Sequence, residues 1–160
     1  MQEIFAEYKT IIVFLHVISA VVWVGGMIAM RYAAHPSFMD VTSPSERLER
    51  IVHAMKRLFT IVFPFTIILL LTAVVMILGY DLKSTPYSGL GHAKETIWII
   101  MFVNYLLMIK RRNRAADFLA NNDIVGAKVA MGLVGKYMIP LNIILGIIAI
   151  FLGASLSSNL

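Results

Sequence analysis

Few side chains in this sequence can do chemistry: four histidines (His16, His35, His53 and His92), Lys94 near the start of an apolar run, and ten methionines. There is no cysteine. That excludes disulfides, thiolate zinc sites, iron–sulfur clusters and covalently attached c-type haem. Metal or redox chemistry must then rest on His, Met, Lys, Tyr or carboxylate groups. His16 stands inside the stretch 10–30, which contains no charged residue. A histidine in such surroundings is either a buried imidazole hydrogen-bonded to Ser19, Asn104 or Asn142, or a working group. As a working group it is an axial haem ligand or a proton carrier.

The other candidates each have two readings. Lys94 either extends to an interface on its aliphatic stem or acts beside His16. Its neighbour Glu95 is a weak partner, because adjacent helical positions point apart. His92 is interfacial or a second ligand. His35 and His53 read as interfacial. His16 and His35 are nineteen residues apart, ~28 Å along a helix, so they cannot share one metal ion. Arg31 is placed to meet an anion, either a lipid phosphate or a haem propionate. Met27, Met30, Met101 and Met108 either pack or offer soft ligands to Cu(I).

These groups need elements to position them. The chain has 160 residues, of which 59% are hydrophobic and 14% charged; a soluble domain carries roughly 25% charged residues. Mean hydropathy is +0.82. Lipid is the expected solvent. A bilayer core of ~30 Å needs ~20 mostly apolar residues per helix. Four stretches qualify, at about 10–30, 58–80, 92–110 and 137–157. Backbone groups in lipid must pair internally, and these runs lack the alternation of barrel strands, so helix is expected throughout. The expected fold is all-α: one integral membrane four-helix bundle spanning residues 1–160.

The N-terminal segment is acidic and lacks the basic region of a signal peptide, so the first span is expected to be retained. The connections 31–57 and 110–136 carry eleven of the fourteen Lys and Arg residues. The positive-inside rule then places both connections in the cytoplasm and both termini outside, in a bacterial-type inner membrane. The net charge of +5 is thus a topology signal, and nucleic acid is not an expected partner.

Helical spacing groups the polar and bulky residues. His16, Ala20, Trp23, Met27 and Met30 fall on one face, flanked by Ser19 and Gly26. Lys94, Trp98, Met101, Tyr105 and Met108 repeat that spacing, bordered by Asn104. Thr60, Pro64 and Leu71 share a face of the second span. Gly135, Asn142, Gly146, Ala149 and Gly153 form a small-residue face that permits close approach within the chain or in a homodimer. His16 lies about seven residues into its span, ~10 Å deep, and Lys94 and His92 enter from the same side. Ser43-Pro44-Ser45-Glu46 reads as a helix start. Pro64 is expected to kink its helix, and Pro140 to open another and free a carbonyl. The stretch 81–91 reads as a loop, and Asn121-Asn122-Asp123 as a break.

The first span, LHVISAVVWVGGMIAMRYAAHP, resembles the opening helix of the HemJ and CopD-like membrane proteins. These begin with a Leu-His pair, a Trp seven residues later and a glycine-rich step. The corresponding residues are Leu15-His16, Trp23 and Gly25-Gly26. Gly91-His92-Ala93-Lys94 is similar to the His-x-Lys that opens the third helix of HemJ proteins. The fourth span reads Ile139-Pro140-Leu141-Asn142, where that family has Asn-Glu-x-Pro, and Arg31 lacks the family's preceding proline. The resemblance implies a haem-b-binding protoporphyrinogen IX oxidase, in which His16 ligates iron and Lys94 assists ligation, substrate carboxylate binding or proton transfer. The expected cofactor-lining set is His16, Lys94, Trp23, His92, Arg31 and Asn142, with His16 the metal ligand and Lys94 the catalytic group. Electrons would pass to a quinone, oxygen or a partner protein. Two other functions stay open: copper handling without catalysis, as in CopD-like proteins, and an accessory subunit whose polar seam only pins helix packing.

Overall fold

The structure is a computed structural model describing residues 2–158. Met1, Asn159 and Leu160, and the side chains of Gln2, Ile4 and Lys83, lie outside the described residues. Among the described residues every regular element is helical. The first long segment joins α1 (Gln2–Ala29), a π turn (Met30–Ala34) and the short α2 (His35–Phe38). α3 (Pro44–Gly79) is the second and α4 (Ser88–Ala120) the third. The fourth joins α5 (Ile124–Leu133), another π turn (Val134–Met138) and α6 (Ile139–Ser157).

Three of these segments are long and apolar enough to cross a membrane: Phe5–Phe38, Pro44–Gly79 and Ile124–Ser157. α4 does not reach the same level among the described residues. Its apolar run is interrupted by Lys94, Glu95, Asn104 and Tyr105, and the latter two find partners on other helices.

Local chemistry explains the helix ends. Ser43 caps α3, accepting from the Glu46 amide at 3.4 Å, with Pro44 in the first turn where its missing N–H is harmless. Asp123 caps α5, accepting from the Gly126 amide at 2.8 Å. Asn122 before it adopts the left-handed conformation (φ 58°), which Asn tolerates better than most residues. The stretch 81–91, expected as a loop, is shorter than that. Asp81 turns left-handed (φ 48°), Leu82–Ser84 form one 3-10 turn, and α4 begins at Ser88. Leu82 is buried against Gly91, where a Cβ would stand 2.7 Å from its side chain.

Each π turn ends two residues before a proline, Pro36 or Pro140. The amides of His35 and Ile139 reach back five residues to Met30 and Val134. Proline lacks an N–H and its ring crowds the preceding turn; widening that turn by one residue relieves the conflict. α3, by contrast, continues through Pro64 without a break.

The helices form a closed ring. α1 packs on α3, α3 on α4, α4 on α5 and α6, and α6 back on α1. Phe5 stacks edge-on against Tyr80, and Lys94 lies over Gly153, so the two chain ends and the α3–α4 turn share one end of the bundle. Arg112 donates to the Val52 carbonyl at the opposite end, where the α2–α3 and α4–α5 connections lie. The core fills the middle of the bundle and its connection end. Trp23, Met27, Met55, Tyr105 and Met108 are each no more than 1% exposed. The expected stripes Trp23–Met27–Met30 and Met101–Tyr105–Met108 both face this core. On α3 the outcome differs. Thr60, Pro64 and Leu71 are exposed, and the inward positions include Met55, Phe59, Val62, Thr66 and Thr72.

Candidate functional site

The fully packed core stops at a layer made of Ser19, Thr72, Met101 and Gly146. From there to the end holding the termini, the facing helices present half-buried side chains, until Phe5, Leu82 and Gly91 close the end. His16 and Lys94 both lie in this looser layer.

His16 is not bonded to Ser19, Asn104 or Asn142. Its Nδ1 lies 3.0 Å from Thr72 Oγ1 on α3. The Ser19 hydroxyl turns to its own helix, donating to the Leu15 carbonyl at 2.6 Å. The Thr72 hydroxyl has one proton, and it is directed at backbone carbonyls, Ile68 at 2.7 Å and Leu69 at 3.1 Å. With the Thr72 proton on its own helix, this oxygen accepts from His16 Nδ1, the tautomer in which Nε2 keeps its lone pair. A metal-ligating or proton-accepting histidine is held in just this manner, with one nitrogen donating to a fixed acceptor and the other available.

Lys94 comes from α4. Its Nζ lies over Gly153 of α6, 2.9 Å from where a Cβ would stand. Among the described residues the ammonium has no hydrogen bond or ion pair. Three helices thus bring an oriented histidine and an unpaired ammonium into one half-buried layer, and the fourth gives the ammonium room.

The remaining expected residues lie elsewhere. His92 is exposed, and its Nδ1 pairs with Glu95 Oε2 at 3.1 Å, one turn along the same helix. Glu95 is thereby the partner of His92 and not of Lys94. Arg31 sits in the first π turn, fifteen residues from His16, ~22 Å along the helix. Asn142 is 1% exposed and already engaged. Its Oδ1 accepts from Asn104 Nδ2 at 2.8 Å, and its Nδ2 donates to the Met101 carbonyl at 3.4 Å. Asn104 also donates to the Met138 carbonyl at 2.8 Å, just ahead of Pro140. This pair ties α4 to the fourth segment. His53 is exposed on α3.

Trp23 is 1% exposed, and among the described residues its Nε1 has no acceptor; the same holds for Trp98 Nε1. Trp98 stacks on Phe102 at 4.8 Å, one turn beyond Lys94 on α4. Trp23 and Phe59 meet Tyr105 edge-on, and the Tyr105 hydroxyl donates to the Phe59 carbonyl at 2.6 Å. The buried methionines Met27, Met30, Met55, Met101, Met108 and Met131 belong to this same cluster. Among the described residues no three His, Asp or Glu side chains gather to hold a metal ion.

Sequence reasoning missed Thr72. One signal pointed to it: a lone hydroxyl in the run Leu69-Leu70-Leu71-Thr72-Ala73-Val74, eight residues before the end of its apolar stretch and so at the depth of His16.

These residues fit a b-type haem in one respect and restrict it in another. His16 would offer one ring nitrogen to the iron, and Trp98 has a buried N–H with no acceptor among the described residues. The middle of the bundle is filled by Trp23, Met27, Tyr105 and Met108, which leaves no room there for a porphyrin. No protein-family profile, curated protein or solved structure matches the chain.

Proposed function

We propose that this chain is a four-span integral membrane protein that binds haem b through His16 and serves in electron transfer or porphyrinogen oxidation, similar to HemJ proteins. The observation that carries the reading is the His16–Thr72 contact, which engages Nδ1 and leaves Nε2 for a ligand in the layer that also holds Lys94. Haem, when bound, supplies the one-electron couple that no side chain here supplies. His16 Nε2 would hold the group, with Thr72 orienting the imidazole through Nδ1. Lys94, lying over Gly153, pairs with a carboxylate or relays a proton at Nζ. α4 is the least apolar of the four spans because it carries Lys94 and the asparagine that binds α6. The termini lie outside and the basic connections in the cytoplasm, which agrees with the distribution of Lys and Arg.

Copper handling, the CopD-like alternative, is favoured by a different observation: six buried methionines in one cluster, whose thioethers suit Cu(I). Pyridine haemochrome assay and metal analysis of the purified protein separate the two. Haem near one equivalent per chain with a reducible Soret band supports the first reading. A colourless protein containing copper overturns it.

A further inference from the structure

We propose that the connection-end face of α4 is a binding site for one anionic glycerophospholipid with a hydroxylated headgroup. The inference rests on α4 crossing the bilayer. A shallow concavity there is lined by Leu106, Ile109, Lys110, Asn113, Arg114 and Asp117. These positions recur at three- and four-residue spacing, so they form a single stripe along the helix. Three other basic residues at this end are engaged. Arg47 binds the Val41 carbonyl through two nitrogens, Arg50 binds Glu46, and Arg112 donates to the Val52 carbonyl.

The stripe is different. Among the described residues Lys110 has no hydrogen bond or ion pair. Asn113 Oδ1 accepts from Arg112 at 2.9 Å, which leaves the Asn113 amide protons facing outward as donors. The Arg114 guanidinium rests over the Phe118 ring, 5.5 Å from its centroid, held in place with its N–H edges free. Lys110, Asn113 and Arg114 thus present three donors within one turn of helix. They begin where the apolar run of α4 ends at Ile109, which on a four-span reading is the depth of lipid phosphates.

Leu106 and Ile109 stand one turn toward the apolar part of α4, where they can contact an acyl chain. Asp117 closes the far side of the stripe, two turns from Lys110. Its carboxylate accepts hydroxyls beyond the phosphate and repels any second negative charge. The site therefore carries one net positive charge, matching one phosphodiester. An arginine can bind phosphate through two parallel N–H groups, and a lysine adds a point charge.

The test uses the full-length protein purified in detergent and titrated with phosphatidylglycerol, phosphatidylcholine or inorganic phosphate. Binding is read as retained adducts in native mass spectrometry and as a rise in unfolding midpoint. We expect saturable phosphatidylglycerol binding, at least about tenfold tighter than phosphatidylcholine, and no shift with inorganic phosphate. Lys110→Gln with Arg114→Gln should weaken it about thirtyfold. Arg111→Gln, an exposed neighbour on another face of α4, removes the same charge and should change it less than twofold. Equal weakening by R111Q means diffuse surface charge and overturns the site. So does equal binding of phosphatidylcholine, or an equal shift with inorganic phosphate. If single cysteines at Ser84 and Asn121, beside the two ends of α4, label from opposite sides of the membrane yet no lipid preference appears, the site fails while the α4 span stands; if both label from one side, both fail.

Discussion

Replacing Thr72 by valine removes one hydroxyl and keeps the side-chain shape. In the native structure that hydroxyl donates to the Ile68 carbonyl and accepts from His16 Nδ1 at 3.0 Å. The lost helix bond is minor, because backbone carbonyls of α3 keep their helical partners. The lost acceptor matters more. The His16 imidazole would be free to rotate and to place its proton on either nitrogen, and Nε2 would no longer be the reserved lone pair. Loss of one net hydrogen bond costs about 0.5–1.5 kcal/mol of stability. Removing the partner that orients a metal-ligating histidine typically costs 10–100-fold in affinity for the group it holds. The two effects separate experimentally. Haem affinity of Thr72→Val is expected to fall about 10–100-fold, read by titrating haem into the apoprotein at the Soret wavelength, while the unfolding midpoint changes little. Thr72→Ser, which restores the acceptor, is expected to recover most of the affinity. Unchanged affinity in Thr72→Val would refute the tautomer argument, because His16 would then be oriented by something other than this contact.

Three further outcomes follow from the packing. Asn142→Ala leaves a buried Asn104 donor and the Met101 carbonyl short of partners, and should destabilise the protein by about 1–3 kcal/mol in denaturant unfolding; the double replacement Asn104→Leu with Asn142→Leu should lie closer to wild type than the sum of the single changes. A Cβ at Gly146 would run into Val24, whereas none of the described atoms lies within 4 Å of one at Gly25. Gly146→Ala is therefore expected to destabilise by about 1–3 kcal/mol and Gly25→Ala to stabilise by up to about 1 kcal/mol, compared by thermal unfolding in one detergent. Single cysteines introduced at Glu3 and Ser157 should react with a membrane-impermeant maleimide in intact cells, and one at Asn121 should not; the reverse pattern would invert the proposed orientation.

Single-helix features were legible in the sequence, while contacts between helices were not. The cap at Ser43 and the break at Asn121-Asn122-Asp123 depend on residues within one turn, and the buried faces of α1 and α4 depend on one helix's own period. Thr72 could not be assigned to His16 from periodicity, because the pairing depends on how α1 and α3 slide against each other. The π turns escaped for a related reason. A proline announces that a helix will be disturbed at Pro36, Pro64 and Pro140, but surrounding packing decides whether the turn widens, as at Pro36 and Pro140, or runs through, as at Pro64. His92 and Lys94 both entered the candidate set on spacing. Two residues apart on a helix, they point to opposite sides, and that placed one with Glu95 in the open and the other over Gly153. Asn142 entered as a cofactor-lining group, but its amide is engaged by Asn104 and Met101.

The central claim is that His16, through its free Nε2, anchors a haem. The most direct measurement is the visible spectrum, oxidised and dithionite-reduced, of the purified protein alongside His16→Ala and His92→Ala, each at equal folded concentration. The account predicts a Soret band that shifts on reduction in wild type and in His92→Ala, and none in His16→Ala. Absence of the band from wild type, or its survival in His16→Ala, would contradict it.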